Sequence, residues 1–308
     1  MRDCFVAALL EIARQNRRVL LMTGDLGFGV LDSFARELPL QFLNAGVAEQ
    51  NMTGMAAGLA LEGRTVFTYS IANFPTLRCL EQLRNDVCYH EANVKVVAIG
   101  GGFSYGALGM SHHATEDIAI LRALPGISVH APCDEVETSA ITSLLVTQDG
   151  PSYLRLDKSK LAPLQDADEF RPGRLRLLRS GRHAAIMVCG GIAGEAIKAA
   201  ESLAREGIEC AVVSVHTLKP IDAEGVLDIA RRYPAVLTLE EHVLSGGLGS
   251  IVAEILVDSG IRPRAFARMA LPDQYCSVVG TQEYLRAHRG LDALTVANRM
   301  KALLSTAC

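Results

Sequence analysis

Tryptophan is absent from this 308-residue chain, and aromatic residues make up only 5% of it. Lysine and arginine form no dense block, and the formal net charge is -4. With few rings to stack on bases and no basic stripe, the chain lacks the footprint of a nucleic-acid or anionic-membrane partner, and both are excluded. No apolar run approaches the length of a membrane span. The first 18 residues place Phe5, Leu9 and Ile12 at helical spacing with Asp3 and Glu11 between them. A signal peptide would show a basic start and an unbroken apolar core, so a cytoplasmic protein is expected. The eight cysteines include no CxxC pair, which argues against a zinc site or a redox motif. Most are expected to be reduced core thiols.

With 49% hydrophobic residues, the chain can fill two ordinary globular cores. Short β-rich runs at residues 19–22, 65–68, 94–99, 128–130 and 153–156 alternate with helical stretches, the pattern of βαβ units and a mainly parallel sheet. The alternation stops in a polar stretch containing Pro163 and Pro172, then restarts near residue 184. The reading is therefore an α/β protein of two domains, each a mainly parallel sheet flanked by helices: residues 1–160, a linker at 161–180, and a smaller domain at 181–308. In the second domain, a glycine-rich loop at 244–249 precedes an apolar helix, a geometry that could hold an anion, although it does not fit GxGxxG.

Chemistry concentrates in the first domain. Asn44-Ala45-Gly46-Val47-Ala48-Glu49-Gln50-Asn51-Met52 sets one carboxylate at the start of a small-residue helix just after an apolar strand, where α/β enzymes keep reactive groups. The macrodipole alone favours a carboxylate there. A carboxyl buried against an apolar surface is also driven toward its protonated form, and a protonated acid can donate to a ring nitrogen. The second block runs from Tyr69-Ser70 through Phe74 and Arg78 to Arg84-Asn85-Asp86. The third begins Gly100-Gly101-Gly102, a loop of the kind that lets a ligand approach the backbone, and ends Gly109-Met110-Ser111-His112-His113. His112 suits donation to a carbonyl or hydroxyl; adjacent histidines seldom share a metal, and no acidic ligand pattern accompanies these two.

Together the three blocks resemble the pyrimidine-binding and C-terminal parts of thiamine-diphosphate transketolases, over essentially the whole chain. The resemblance implies that Glu49 is the acid at the aminopyrimidine N1′ that activates the cofactor for ketol transfer, the carbon chemistry being the cofactor's own. It implies an aromatic platform for the pyrimidine, with Phe74 as candidate and Tyr69 in reserve. It also implies substrate contacts from His112 and Ser111, and a cation for the acceptor's phosphate from Lys158 or Arg155. Two positions depart from the family pattern. Leu108 stands where sugar-phosphate transketolases carry an aspartate that reads the donor's α-hydroxyl, and glycine stands near Gly100 where they carry a phosphate-side histidine. The usual pentose-phosphate specificity is therefore not carried over.

Full-length transketolases carry an N-terminal domain whose GDG-type motif holds Mg2+ and the diphosphate, and no GDG string occurs here. The resemblance therefore implies a second, N-terminal-type subunit that holds both, with the active site between the chains and an α2β2 assembly. The helix face of Gly54, Ala57 and Gly58 offers a docking surface. The expected activity is transfer of a two-carbon ketol unit from a ketose to an aldehyde. The alternatives are a deoxyxylulose-phosphate-synthase-like enzyme, a 2-oxoacid dehydrogenase β-like subunit, or a non-catalytic structural subunit.

Overall fold

The β-rich runs become strands buried along nearly their whole length, as parallel strands covered by helices on both faces are. In the computed structural model, which describes residues 1–158, 161 and 167–307, seven strands form the first sheet. They are β1 (Val19–Thr23), β2 (Phe42–Asn44), β3 (Thr65–Ile71), β4 (Val94–Ile99), β5 (Ser128–His130), β6 (Ser152–Leu156) and β10 (Thr217–Lys219), in the order β10-β5-β6-β4-β3-β1-β2. All pairings are parallel except β10 with β5. Helices α1 (Arg2–Gln15) and α6 (Glu135–Thr147) cover one face; α3 (Glu49–Leu61) and α5 (Asp117–Ala123) cover the other, with α2 (Asp32–Glu37) and the one-turn α4 (Leu80–Gln82) in the connections.

The period of two in β3 decides which side chains meet which helices. Phe67 and Tyr69 enter the α1 core, where Tyr69 stacks on Phe5 at 6.3 Å, while Val66 joins Met52, Ala56 and Ala60 of α3.

The second sheet has the order β12-β11-β8-β9-β7, from β7 (Arg176–Arg179), β8 (Ala184–Val188), β9 (Cys210–Ser214), β11 (Ala235–Val243) and β12 (Ala265–Leu271). Helices α7 (Ala193–Arg205), α8 (Ala223–Arg232), α9 (Leu248–Ser259), α10 (Gln282–His288) and α11 (Ala293–Ala307) complete it. Asp134, Asp222 and Thr281 cap α6, α8 and α10 through their side chains.

Two features depart from the expected domain plan. The interval read as linker contains β7, the antiparallel edge strand of the second sheet, and β10 leaves its own domain to extend the first sheet. Pro163 lies outside the described residues, as does Cys308. Of the other seven cysteines, six are buried and Cys4 is half-buried, all as free thiols. Among the described residues, no helix is long and apolar enough to cross a membrane.

The glycine-rich loop at 244–249 is filled by a carboxyl group of the protein itself. Glu240, buried within β11, accepts from the Leu248 and Gly249 amides at 2.7 and 2.8 Å, filling the N-terminus of α9. Burial pushes this carboxyl up to about 7 against the pull of those amides. A Cβ at position 247 would collide with the Glu240 carboxylate, so the loop's glycine serves the carboxylate. An external anion is not accommodated there.

Candidate active site

Four parallel strands of the first sheet deliver residues to one region at their carboxyl ends. The β2 end leads to Glu49, β3 to Phe74 and Arg78, β4 to the loop from Gly100 to His113, and β6 to Lys158. The turn before α3 passes through Gly46 at φ +74°, and Asn44 steadies it, its side-chain oxygen accepting from the Asp25 and Gly46 amides at 2.9 and 3.0 Å.

Glu49 is the first residue of α3 and only 3% exposed. Gly24 makes the room: a Cβ there would stand 3.4 Å from Glu49 Cγ. Its Oε2 accepts from Arg78 Nη1 at 2.9 Å. The Arg78 guanidinium also lies 5.0 Å from the centre of the Phe74 ring, and Phe74 meets His112 edge-on at 5.3 Å. Glu49, Arg78, Phe74 and His112 therefore form one continuous group. Ser111 Oγ lies 3.0 Å from His112 Nδ1, and Asn73 Nδ2 donates to the carbonyl oxygens of Ser111 and His113, tying the histidine turn to the end of β3.

The two histidines have separate fates. His112 is half-buried in the aromatic group; His113 is buried, with Phe103 edge-on at 5.0 Å and Nε2 3.4 Å from the Gly106 carbonyl oxygen. Burial lowers the His113 pKa, which keeps it neutral. Among the described residues, no group of three His, Cys, Asp or Glu side chains is placed to hold a metal.

Lys158 completes the line of residues. Its Nζ rests 3.5 Å from the centre of the Tyr105 ring, and Tyr105 lies 6.3 Å from His112. Burial, with Arg2 adding like-charge repulsion, lowers the Lys158 pKa. The lysine borders a cavity of ≈ 590 Å³ between the first domain's loop and the start of α10, with Leu108, Gln282 and Glu283 on its walls. Leu108 is exposed, four residues before His112.

Three expectations are corrected by this geometry. Tyr69 points to the α1 face, on the side of the sheet away from α3, so it is not a reserve platform. Arg155 is 3% exposed and committed inward: Nε donates to Asp117 at 2.9 Å, and Nη2 to the Ala114 and Glu241 carbonyl oxygens, both at 2.9 Å. It joins the two domains through these bonds. Finally, side chains approach the triple glycine: a Cβ at Gly101 would strike Arg155, one at Gly102 the Glu241 carboxylate, and one at Gly100, φ +102°, the Tyr105 ring. Tyr105 thus fills the space a side chain at position 100 would need, which accounts for the missing histidine there.

Sequence reasoning assigned no role to Arg78 or Tyr105. Arg78 sits four residues after Phe74 in the same block, and that nearness in sequence was a usable signal. Tyr105 gave none, because only the fold of its loop turns it under Lys158.

Residues 1–163 match the family "Transketolase, pyrimidine binding domain" and residues 173–296 match "Transketolase, C-terminal domain". The chain is similar to an apulose-4-phosphate transketolase subunit from Phocaeicola vulgatus, 37% identical over 94% of this chain and 93% of that protein. It is equally similar to the 6-deoxy-6-sulfo-D-fructose transketolase subunit SqwH of Clostridium sp. (strain MSTE9), 37% identical over 95% of this chain and 91% of that protein. Among solved structures, one titled "Split gene transketolase, inactive beta4 tetramer" superposes with a TM-score of 0.89 at 35% identity, covering 100% of this chain and 99% of that one. With both domains matched and subunit-length relatives covered nearly end to end, the chain belongs to the transketolase family, as a subunit comprising its pyrimidine-binding and C-terminal domains.

Proposed function

We propose that this chain is the C-terminal-type subunit of a two-chain, thiamine-diphosphate-dependent transketolase that moves a two-carbon ketol unit from a ketose to an aldehyde. The observation that carries the reading is the convergence of Glu49, Phe74 and His112 at the carboxyl ends of parallel strands. The pyrimidine half of the cofactor suits these residues. A flat cation, the Arg78 guanidinium, already bonds the Glu49 carboxylate and lies near the Phe74 ring, so the pair accepts a planar group with a hydrogen-bonding edge.

Thiamine diphosphate, when bound, supplies the carbon nucleophile that takes up and hands on the ketol unit. Glu49 would share a proton with the pyrimidine N1′, and Phe74 would stack against that ring. His112, oriented by Ser111, donates to the substrate oxygen on which charge develops. Lys158, at the outer end of the line, offers a point charge to an anionic substrate group. Leu108 presents an apolar wall four residues before His112, which supports a donor other than the usual pentose phosphates.

Diphosphate and Mg2+ belong to the partner subunit in this reading, supported by the lack of a GDG motif in this sequence. Ala57 turns into the core, which removes it from the expected docking face; half-buried Gly54 and exposed Gly58 of α3, where an added Cβ would meet nothing within 4 Å, are the surface we assign to subunit docking in an α2β2 enzyme. Free, mostly buried thiols support a cytoplasmic setting.

The test is co-purification with the partner, followed by turnover assays with phosphorylated and sulfonated ketoses. Activity should need both chains and added thiamine diphosphate, and Glu49→Gln should lower kcat by about 10²–10⁴ with assembly intact. Unchanged turnover in that variant would sink the mechanism.

A further inference from the structure

The Glu49–Arg78 pair poses a conflict for the reading just given, on which this inference rests. Glu49 is 3% exposed and its Oε2 is taken by Arg78 at 2.9 Å. The same guanidinium lies 5.0 Å from the Phe74 ring centre. Arg78 thus uses the two features that an aminopyrimidine would use, a hydrogen-bonding oxygen of the carboxylate and a face of the aromatic ring beside it. A ring that bonds the same oxygen and stacks on the same face has to displace the guanidinium.

We propose that Arg78 is a latch that occupies the pyrimidine position in the unassembled subunit and swings out to solvent when that ring enters. The route is open. The Arg78 side chain is 51% exposed, and it stands on the run of turns between β3 and α4, outside any long helix. On leaving, the guanidinium regains water, so the competition it offers is modest. Until it leaves, the buried carboxylate keeps a counter-ion and the end of the β3 connection keeps its shape. A subunit made before its partner therefore does not carry a bare acid in an apolar pocket. The latch also sets a threshold, because a ring that merely stacks on Phe74 without bonding Glu49 gains nothing to offset the ion pair it must break.

The experiment is calorimetric titration of thiamine diphosphate with Mg2+ into the cofactor-free, reconstituted two-chain enzyme, with wild-type chain, Arg78→Ala and Arg78→Lys compared. Removing the competitor should tighten binding by about three- to tenfold in Arg78→Ala, with Arg78→Lys between the two. Equal or weaker binding in a folded Arg78→Ala enzyme would overturn the latch, since it would mean that the arginine is neutral or helps to hold the cofactor. A crystal structure of the cofactor-loaded wild-type enzyme is the second reading, independent of any variant. The Arg78 guanidinium should then lie beyond hydrogen-bond reach of Glu49, more than about 3.5 Å away, and an intact pair beside the bound pyrimidine would overturn the proposal. Glu49→Gln, run in parallel, separates the two levels. If the assignment of Glu49 is wrong, that variant turns over normally; if only the latch is wrong, it is inactive while Arg78→Ala binds no tighter.

Discussion

Arg155→Met is the substitution whose outcome most sharply divides a structural from a substrate-binding role. Arg155 Nε donates to Asp117 at 2.9 Å, and its Nη2 bridges the Ala114 carbonyl oxygen of the first domain and the Glu241 carbonyl oxygen of the second. Methionine fills similar volume and removes all three bonds. Asp117, 1% exposed, then keeps the Tyr153 hydroxyl as a donor at 2.6 Å, and its charge stays buried without a cation. Breaking one side of a buried ion pair costs about 3–5 kcal/mol. At about 2–4 °C per kcal/mol for domains of this size, the melting temperature should fall by roughly 10 °C. Urea and thermal unfolding followed by circular dichroism measure this directly. Arg155→Met with Asp117→Asn should recover part of the loss, because the second change removes the stranded charge. A loss under about 1 kcal/mol, accompanied by a raised KM for an anionic substrate, would refute the argument and return Arg155 to the substrate site.

Other outcomes follow from the same geometry. Glu240→Gln turns a donor toward the Leu248 or Gly249 amide at the start of α9, and chemical denaturation should show a loss of about 1–3 kcal/mol. Phe74→Leu should weaken thiamine diphosphate binding by about two- to tenfold in a calorimetric titration, leaving the fold unchanged. Glu137 supplies a pH test. Burial, helped by the like charge of Asp134, pushes its carboxyl up to about 7 from 4.5. The folded state therefore holds a proton that the unfolded chain has lost. The resulting stabilisation is fully present below pH 4.5 and is lost as pH rises through about 7. Unfolding free energies across that window should fall with rising pH by on the order of 1 kcal/mol per unit in wild type relative to Glu137→Gln; parallel curves would remove the assignment.

The parts of the molecule legible in sequence were those that local physics determines. Short β-rich runs alternating with helical stretches gave the strands β1, β3, β4, β5 and β6, and the carboxylate after β2 marked the end of the sheet where the candidate site gathers. The side of Tyr69 was also legible, since it alternates with Ser70 and shares a face with Phe67, yet the motif drew it to the wrong face. What stayed hidden depends on residues distant in sequence. Glycine 102 answers to Glu241, and the glycine-rich loop at 244–249 answers to Glu240, so each resembled a ligand loop until its partner was seen. The three-residue β10 carries no periodicity of its own, and only the exposed edge of β5 explains it.

That short strand constrains how this protein can be taken apart. Because Thr217–Lys219 finishes the first sheet beside Ser128–His130, the chain is stitched backward across its own boundary. A fragment stopped near residue 160 would leave β5 with a naked row of amides and carbonyls, an invitation to pair with another copy. Deletion and domain-exchange experiments that respect the sequence boundary would thus produce sticky halves. Cuts that keep the strand with the sheet it completes would sever the second domain between β9 and α8.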